Sequence, residues 1–227
     1  MDQQRKLLGR PQGGQVRPVS AVCAARRAGF TLVEAMIALA VFATLLAIGV
    51  PRMSDWLAAN KAAAANQFYA EAFTLARAKA LTHNSASRLV LSANTVSGQY
   101  DWRVDLCFPT PEAPCDADGT WSTLTNAVNR EGAAGAGFTS VSGNADALPE
   151  TSRMSVTIGP DEASAVYFTP LGWVDPRIAP RLTRIDLAPA AGAAATFRPA
   201  SVVLTLAGVA AICDPDAAAN DSRRCPE

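Results

Sequence analysis

The run from Phe30 to Val50 constrains this chain more than any other stretch: 21 residues in which Glu34 is the only ionisable side chain. As a helix it spans about 31 Å, matching a hydrocarbon core of roughly 30 Å. A carboxylate within such a helix costs roughly 2.5–3.5 kcal/mol at the bilayer centre on insertion scales, so it calls for a partner. Cutting the chain between Gly29 and Phe30 would create one, an ammonium four residues before Glu34. Two plainer readings compete. Ala38-Leu39-Ala40 has the form of a secretory cleavage site, and Arg26-Arg27 that of part of a twin-arginine signal. Glu34 fits neither, because both require an apolar stretch where it stands.

Charge gives the run a direction. Residues 1–29 hold six of the 20 basic residues and one of the 20 acids, leaving 14 basic and 19 acidic residues beyond them, a net of −5. Basic residues ahead of an apolar span keep that side cytoplasmic and send residues 51–227 outward. Cysteine use agrees. Cys23 belongs to the leader; Cys107, Cys115, Cys213 and Cys225 remain in a segment that an oxidising compartment would favour as disulfides. Four cysteines allow three connectivities, of which Cys107–Cys115 with Cys213–Cys225 closes the shortest loops. No C-x-x-C is present and His83 is the single histidine, so a metal site on these thiols is poorly supported and no cofactor is expected.

Helix signals run from Phe30 to about Leu81, interrupted only by Pro51, which predicts two helical halves with a bend. In the second half Leu57, Ala64, Phe68 and Leu75 form a narrow apolar stripe, suited to a helix resting on a small sheet. The period then changes. Tyr100–Phe108 alternates apolar and polar residues as a half-buried strand, and Arg88–Leu91, Arg153–Ile158, Ala165–Thr169, Leu182–Leu187, Ser201–Leu206 and Val209–Ile212 are further strand candidates. Thr110–Gly119 and Thr125–Thr151 read as loops. The expected organisation is a leader (1–29), a transmembrane and assembly helix (30–50), an outward helical half (51–82) and a globular β-domain (83–227) with a disulfide-closed tail. The fold class is α+β, a long N-terminal helix on an antiparallel β-domain.

The segment Arg26-Arg27-Ala28-Gly29-Phe30-Thr31-Leu32-Val33-Glu34 resembles the class III signal of type IV pilins and type II secretion pseudopilins. That pattern is a basic leader ending in glycine, an aromatic first mature residue and a glutamate at the fifth mature position. Gly29, Phe30 and Glu34 match it, and Pro51 falls where the family often kinks its helix. A leader of 29 residues and Ala28 between Arg27 and Gly29 are departures. The resemblance implies cleavage between Gly29 and Phe30 by a prepilin peptidase, N-methylation of Phe30, and assembly through Glu34 with other pilins or pseudopilins. The expected location is the inner membrane, single-pass, with a periplasmic C-terminal domain, and a filament after assembly. Val166–Gly172, Val202–Gly208 and Ile212–Pro215 are similar to strand-and-turn segments of the GspH/FimT branch.

Some members of that branch capture DNA through a glycine-arginine-x-arginine motif, but Gly208-Val209-Ala210-Ala211 stands at those positions. Arg223 and Arg224 could substitute, and Arg177, Arg181 and Arg184 form a second basic group. The net charge of −5 argues against a broad phosphate-binding face, so nucleic acid is not the expected partner. Catalysis has little support. His83 lies at a predicted helix end, and neither G-x-S-x-G nor H-E-x-x-H occurs. Asp116-Ala117-Asp118-Gly119 is a fragment of a calcium loop without its remaining ligands, and an ordinary turn is the better reading.

Overall fold

The computed structural model describes residues 29–193 and 197–226. The chain divides between Leu45 and Leu46 into two units. One helix, α1 (Leu32–His83), runs through both, and it continues across Pro51 as a single element rather than two. Eight strands follow: β1 (Ala86–Ala93), β2 (Tyr100–Cys107), β3 (Val141–Gly143), β4 (Met154–Gly159), β5 (Ala165–Phe168), β6 (Arg184–Pro189), β7 (Ala200–Leu204) and β8 (Ala210–Cys213). They form two antiparallel sheets, ordered β3-β2-β1-β5 and β4-β6-β7-β8. The α+β arrangement expected from the sequence is therefore present: a long N-terminal helix packed on antiparallel sheets.

The helix ends where Asn84 takes a left-handed φ of 47°. The Ser85 amide donates to the Ala80 carbonyl and the Asn84 amide to that of Leu81, so two otherwise orphaned carbonyls are satisfied. That stop turns the chain directly into β1. The face α1 buries is not the Leu57–Ala64–Phe68–Leu75 stripe. Leu57 is 49% exposed, Ala64 is exposed, and Phe68 and Leu75 only flank the core. The buried positions are Ala62, Ala65, Asn66, Tyr69, Ala72, Phe73, Ala76 and Ala80. Alanines let strand side chains approach the helix closely, while Tyr69 and Phe73 fill the space between. Leu89 and Leu91 of β1, Val166 and Phe168 of β5, Ile185 and Leu187 of β6 and Val202 of β7 share one core with that face. Both sheets thus close on the same side of α1, each bringing apolar area worth roughly 25 cal/mol per Å² buried.

The polar face of β2 is not solvated as simple alternation implies. Asp105 is fully buried and accepts from Arg88 Nε (2.9 Å), Arg103 Nε (2.7 Å) and Ser140 Oγ (2.7 Å). Arg88 also lies 4.7 Å from the centre of the Trp121 ring, and Ser122 pairs with Ser140. The segment read as two loops folds back over this sheet. It contributes β3, paired to Trp102–Val104, and a bridge between Val128 and Phe138. Gly143 packs its backbone on the Trp102 indole, where a Cβ would collide with the ring. Any larger residue there would push β3 away.

Tyr69 anchors the helix to β2. Its hydroxyl donates to the Tyr100 carbonyl (3.2 Å) and accepts from the Tyr100 amide (3.3 Å). Burial pushes its pKa up to about 12, opposed in part by the hydrogen bond to Tyr100. The folded state therefore keeps the proton to higher pH than the unfolded chain, whose tyrosines ionise near 10. The stabilisation is complete below about pH 10 and is lost as pH rises toward about 12, an effect on the order of 2–3 kcal/mol. Chemical denaturation of wild type and Tyr69→Phe at pH 9 and pH 11.5 measures it. The difference between the two proteins should shrink at high pH; an unchanged difference would contradict the buried, protonated phenol.

Candidate functional site

The N-terminal segment is built around Thr31. Gly29, Phe30 and Thr31 precede the first helical residue, and all three are exposed. Thr31 caps α1: its Oγ1 accepts the Glu34 amide (3.2 Å) and its carbonyl accepts the Ala35 amide (3.1 Å). Threonine three residues ahead of glutamate is the sequence form of a capping box, a signal that the apolar run had obscured. Glu34 thus stands in the first turn, where the helix dipole favours negative charge. The Gly29–Phe30 peptide lies outside the helix, with Phe30 80% exposed, so a peptidase can reach it without unwinding a turn. Phe30 and Glu34 do not share a helical face as an i, i+4 pair, because the helix starts only at Leu32. The side chains that follow, Leu32 to Val50, are exposed throughout, and the most apolar window of α1 has no buried residues. Arg26, Arg27 and Cys23, like the rest of the leader before Gly29, lie outside the described residues.

Among the arginines flagged in the sequence, Arg177, Arg184 and Arg223 are engaged by the chain's own carboxylates. Arg223 Nη2 meets Asp221 Oδ2 at 2.6 Å, and Arg177 Nη2 meets Asp175 Oδ2 at 2.6 Å. Arg184 Nε meets Asp186 Oδ1 at 2.6 Å and its Nη2 reaches Ser201 (3.0 Å), which in turn donates to Asp186. Arg181 donates to the Pro176 carbonyl, and Arg224 bridges to Asp214 through the backbone. Asp175, Asp186 and Asp221 each stand two residues from the arginine they pair with, a spacing that was visible in the sequence. The tail holding Arg223 and Arg224 is closed by Cys213–Cys225, and Cys107–Cys115 closes the loop after β2. Asp214, unremarked in the sequence, ties the tail down. Its amide donates to the Arg223 carbonyl (2.7 Å) and its carboxylate pairs with Arg198 (2.8 Å).

His83 is the last residue of α1, its ring 4.3 Å from that of Phe138. Partial burial, with help from Lys79, holds its pKa below the ordinary value of 6.5. Asp116 spends its side chain on the Asp118 amide (3.1 Å) and its carbonyl on the Trp121 indole (2.8 Å). That is a turn stabilising its own loop. Gly208, at the start of the sequence aligned with the arginine motif, holds a φ of 76° in the β7–β8 turn.

The family model of the prokaryotic N-terminal methylation motif matches residues 24–50. No curated protein and no solved structure matches the chain. The motif supports a type IV pilin-like or pseudopilin precursor, and it implies processing by a prepilin peptidase and assembly with other pilins. With the apolar helix it suggests membrane anchoring.

The Asp221–Arg223 pair can be read by titration. Hydrogen bonds from the Arg223 side chain and amide bring the Asp221 carboxyl to about 2, from an ordinary 3.8. A depressed acid contributes stability that is complete above the unfolded pKa and is lost as pH falls through the folded one. Carboxyl NMR should place Asp221 near 2 in wild type and shift it up toward 3.8 in Arg223→Gln, which keeps the amide hydrogen bond. A wild-type value near 3.8 would mean that the arginine is free.

Proposed function

We propose that this chain is a structural minor pilin or pseudopilin of the GspH/FimT type. In this reading the peptidase cuts between Gly29 and Phe30, Phe30 is N-methylated, and α1 carries the mature subunit into a filament of a type IV pilus or a type II secretion pseudopilus. The protein is not an enzyme. It is anchored once in the inner membrane, its β-sheets fold in the periplasm, and its disulfides suit that compartment.

One observation carries the reading. Glu34 sits in the first turn of an uncovered, membrane-length helix, immediately after an accessible, non-helical Gly29–Phe30 peptide. Neither a secretory signal nor a plain anchor has use for that acid. In a filament the apolar helices cover one another, and the Glu34 carboxylate can meet the Phe30 ammonium of a neighbour. At an effective dielectric of about 20, charges 4 Å apart attract by roughly 4 kcal/mol. The pairing of Arg177, Arg184 and Arg223 with nearby carboxylates favours this structural role over DNA capture, since a paired arginine has less to offer a phosphate. His83 against Phe138 supports a structural role over a catalytic one.

Glu34→Ala tests the assignment. Membrane insertion should be unchanged, while the amount recovered in sheared filaments should fall by tenfold or more, the ~1.4 kcal/mol equivalent of a fraction of the ion pair. Wild-type recovery in the variant filaments would refute the role given to Glu34.

A further inference from the structure

A cavity of about 430 Å³ opens between the first outward turns of α1 and the segments flanking β4 and β7. Its wall includes Lys61 and Arg153, the hydroxyl residues Ser54 and Ser152, and the apolar side chains of Leu57 and Phe197. No carboxylate lines it. The side chains of Lys61 and Arg153 form no ion pair with the described residues, unlike Arg88, Arg103, Arg177, Arg184, Arg198 and Arg223, each of which has an acid partner. Two acids stand beside the wall in sequence: Asp55, next to Ser54, forms no ion pair with the described residues, and Glu150 accepts from Ser152 (3.4 Å). Two cations therefore share one recess whose wall, among the described residues, holds no carboxylate, beside the apolar side chains of Leu57 and Phe197.

The position of the recess names its occupant. Ser54 follows Val50, the end of the apolar run, by four residues, about 6 Å of helix, while a headgroup layer is about 5–8 Å thick. Lys61 lies farther out, but helical side chains lean toward the N-terminus and a lysine stem carries its ammonium back along the helix. Met53 (71% exposed) and Trp56 (65% exposed) occupy the same turns, and tryptophan at this level is an interfacial anchor. We propose that this cavity binds the phosphate of an anionic phospholipid headgroup, with Lys61 and Arg153 on the phosphate and Leu57 and Phe197 against its glycerol and upper acyl carbons. The site would hold the globular unit against the bilayer until the subunit is drawn into a filament. It rests on the membrane-anchored reading above.

Native mass spectrometry of the full chain in non-ionic detergent tests the site, with phosphatidylglycerol, phosphatidylcholine or inorganic phosphate added. Wild type should retain phosphatidylglycerol in preference to phosphatidylcholine. Lys61→Gln/Arg153→Gln should retain it roughly thirtyfold less, two basic residues near an anionic surface being worth about fivefold each. Arg130→Gln, remote from the cavity lining, should behave as wild type. Equal retention by the double variant, equal retention of the two lipids, or displacement by matched inorganic phosphate would each overturn the proposal, the last assigning the cations to a soluble anion. Vesicle flotation keeps the underlying reading separate. A chain that fails to float refutes the membrane anchor and the site together; one that floats while the double variant keeps its lipid refutes the site alone.

Discussion

An apolar helix with one acid in its first turn has to be covered, and the acid has to be matched. Among the described residues α1 meets neither requirement between Leu32 and Val50: its side chains lie open and Glu34 is exposed in the turn capped by Thr31. A bilayer covers the apolar surface but leaves the carboxylate costly, unless it stays near the headgroups. Helices of neighbouring subunits cover the same surface, and each can bring an amine. The cap adds a physical detail to this account. By starting the helix at Leu32, Thr31 leaves Gly29 and Phe30 outside it, so one short segment both keeps the Gly29–Phe30 peptide in open backbone and fixes where the carboxylate sits.

The other half of α1 solves a different problem. A surface of alanines interrupted by Tyr69 and Phe73 accepts two sheets at once, and the two sheets share one core with it. Several polar groups inside that unit are matched internally, although the buried Asn66 Oδ1, Ser85 Oγ and Trp102 Nε1 are not. Asp105 is held between two arginines and a serine, and the tail is closed by a disulfide and by Asp214. Losing one partner of a buried pair such as Asp105–Arg88 is far costlier than losing an exposed one, because the remaining charge is stranded. Six arginines of the globular unit are paired with acids in this way, whereas Lys61 and Arg153, beside Ser54 and Leu57, form no ion pair with the described residues.

Much of this was legible from residues alone. Helix signals from Phe30 onward, and strand signals at Tyr100–Phe108 or Ala165–Thr169, come from strong periodicity, and the folded elements lie within a few residues of them. The buried face of α1 was misread because leucine and phenylalanine were weighted above alanine. In a helix that is alanine almost all round, the sheets select the close-approach face, and hydrophobicity does not mark it. β3 escaped because Val-Ser-Gly has little strand propensity of its own; Trp102 supplies the platform that makes Gly143 fit. At the N-terminus Gly29, Phe30 and Glu34 could be picked out by pattern, whereas Thr31 was hidden inside the run it initiates. Arg177, Arg184 and Arg223 were counted as free charge, although the acid two residues from each was already in view.

The central claim is chemical: the amine that answers Glu34 is absent until the peptidase acts. Intact mass and N-terminal peptide sequencing of the mature chain, isolated from membranes of cells that carry a prepilin peptidase, test it most directly. The account predicts a polypeptide that begins at N-methylated Phe30. A chain that retains the leader, or begins beyond Val50, would contradict it.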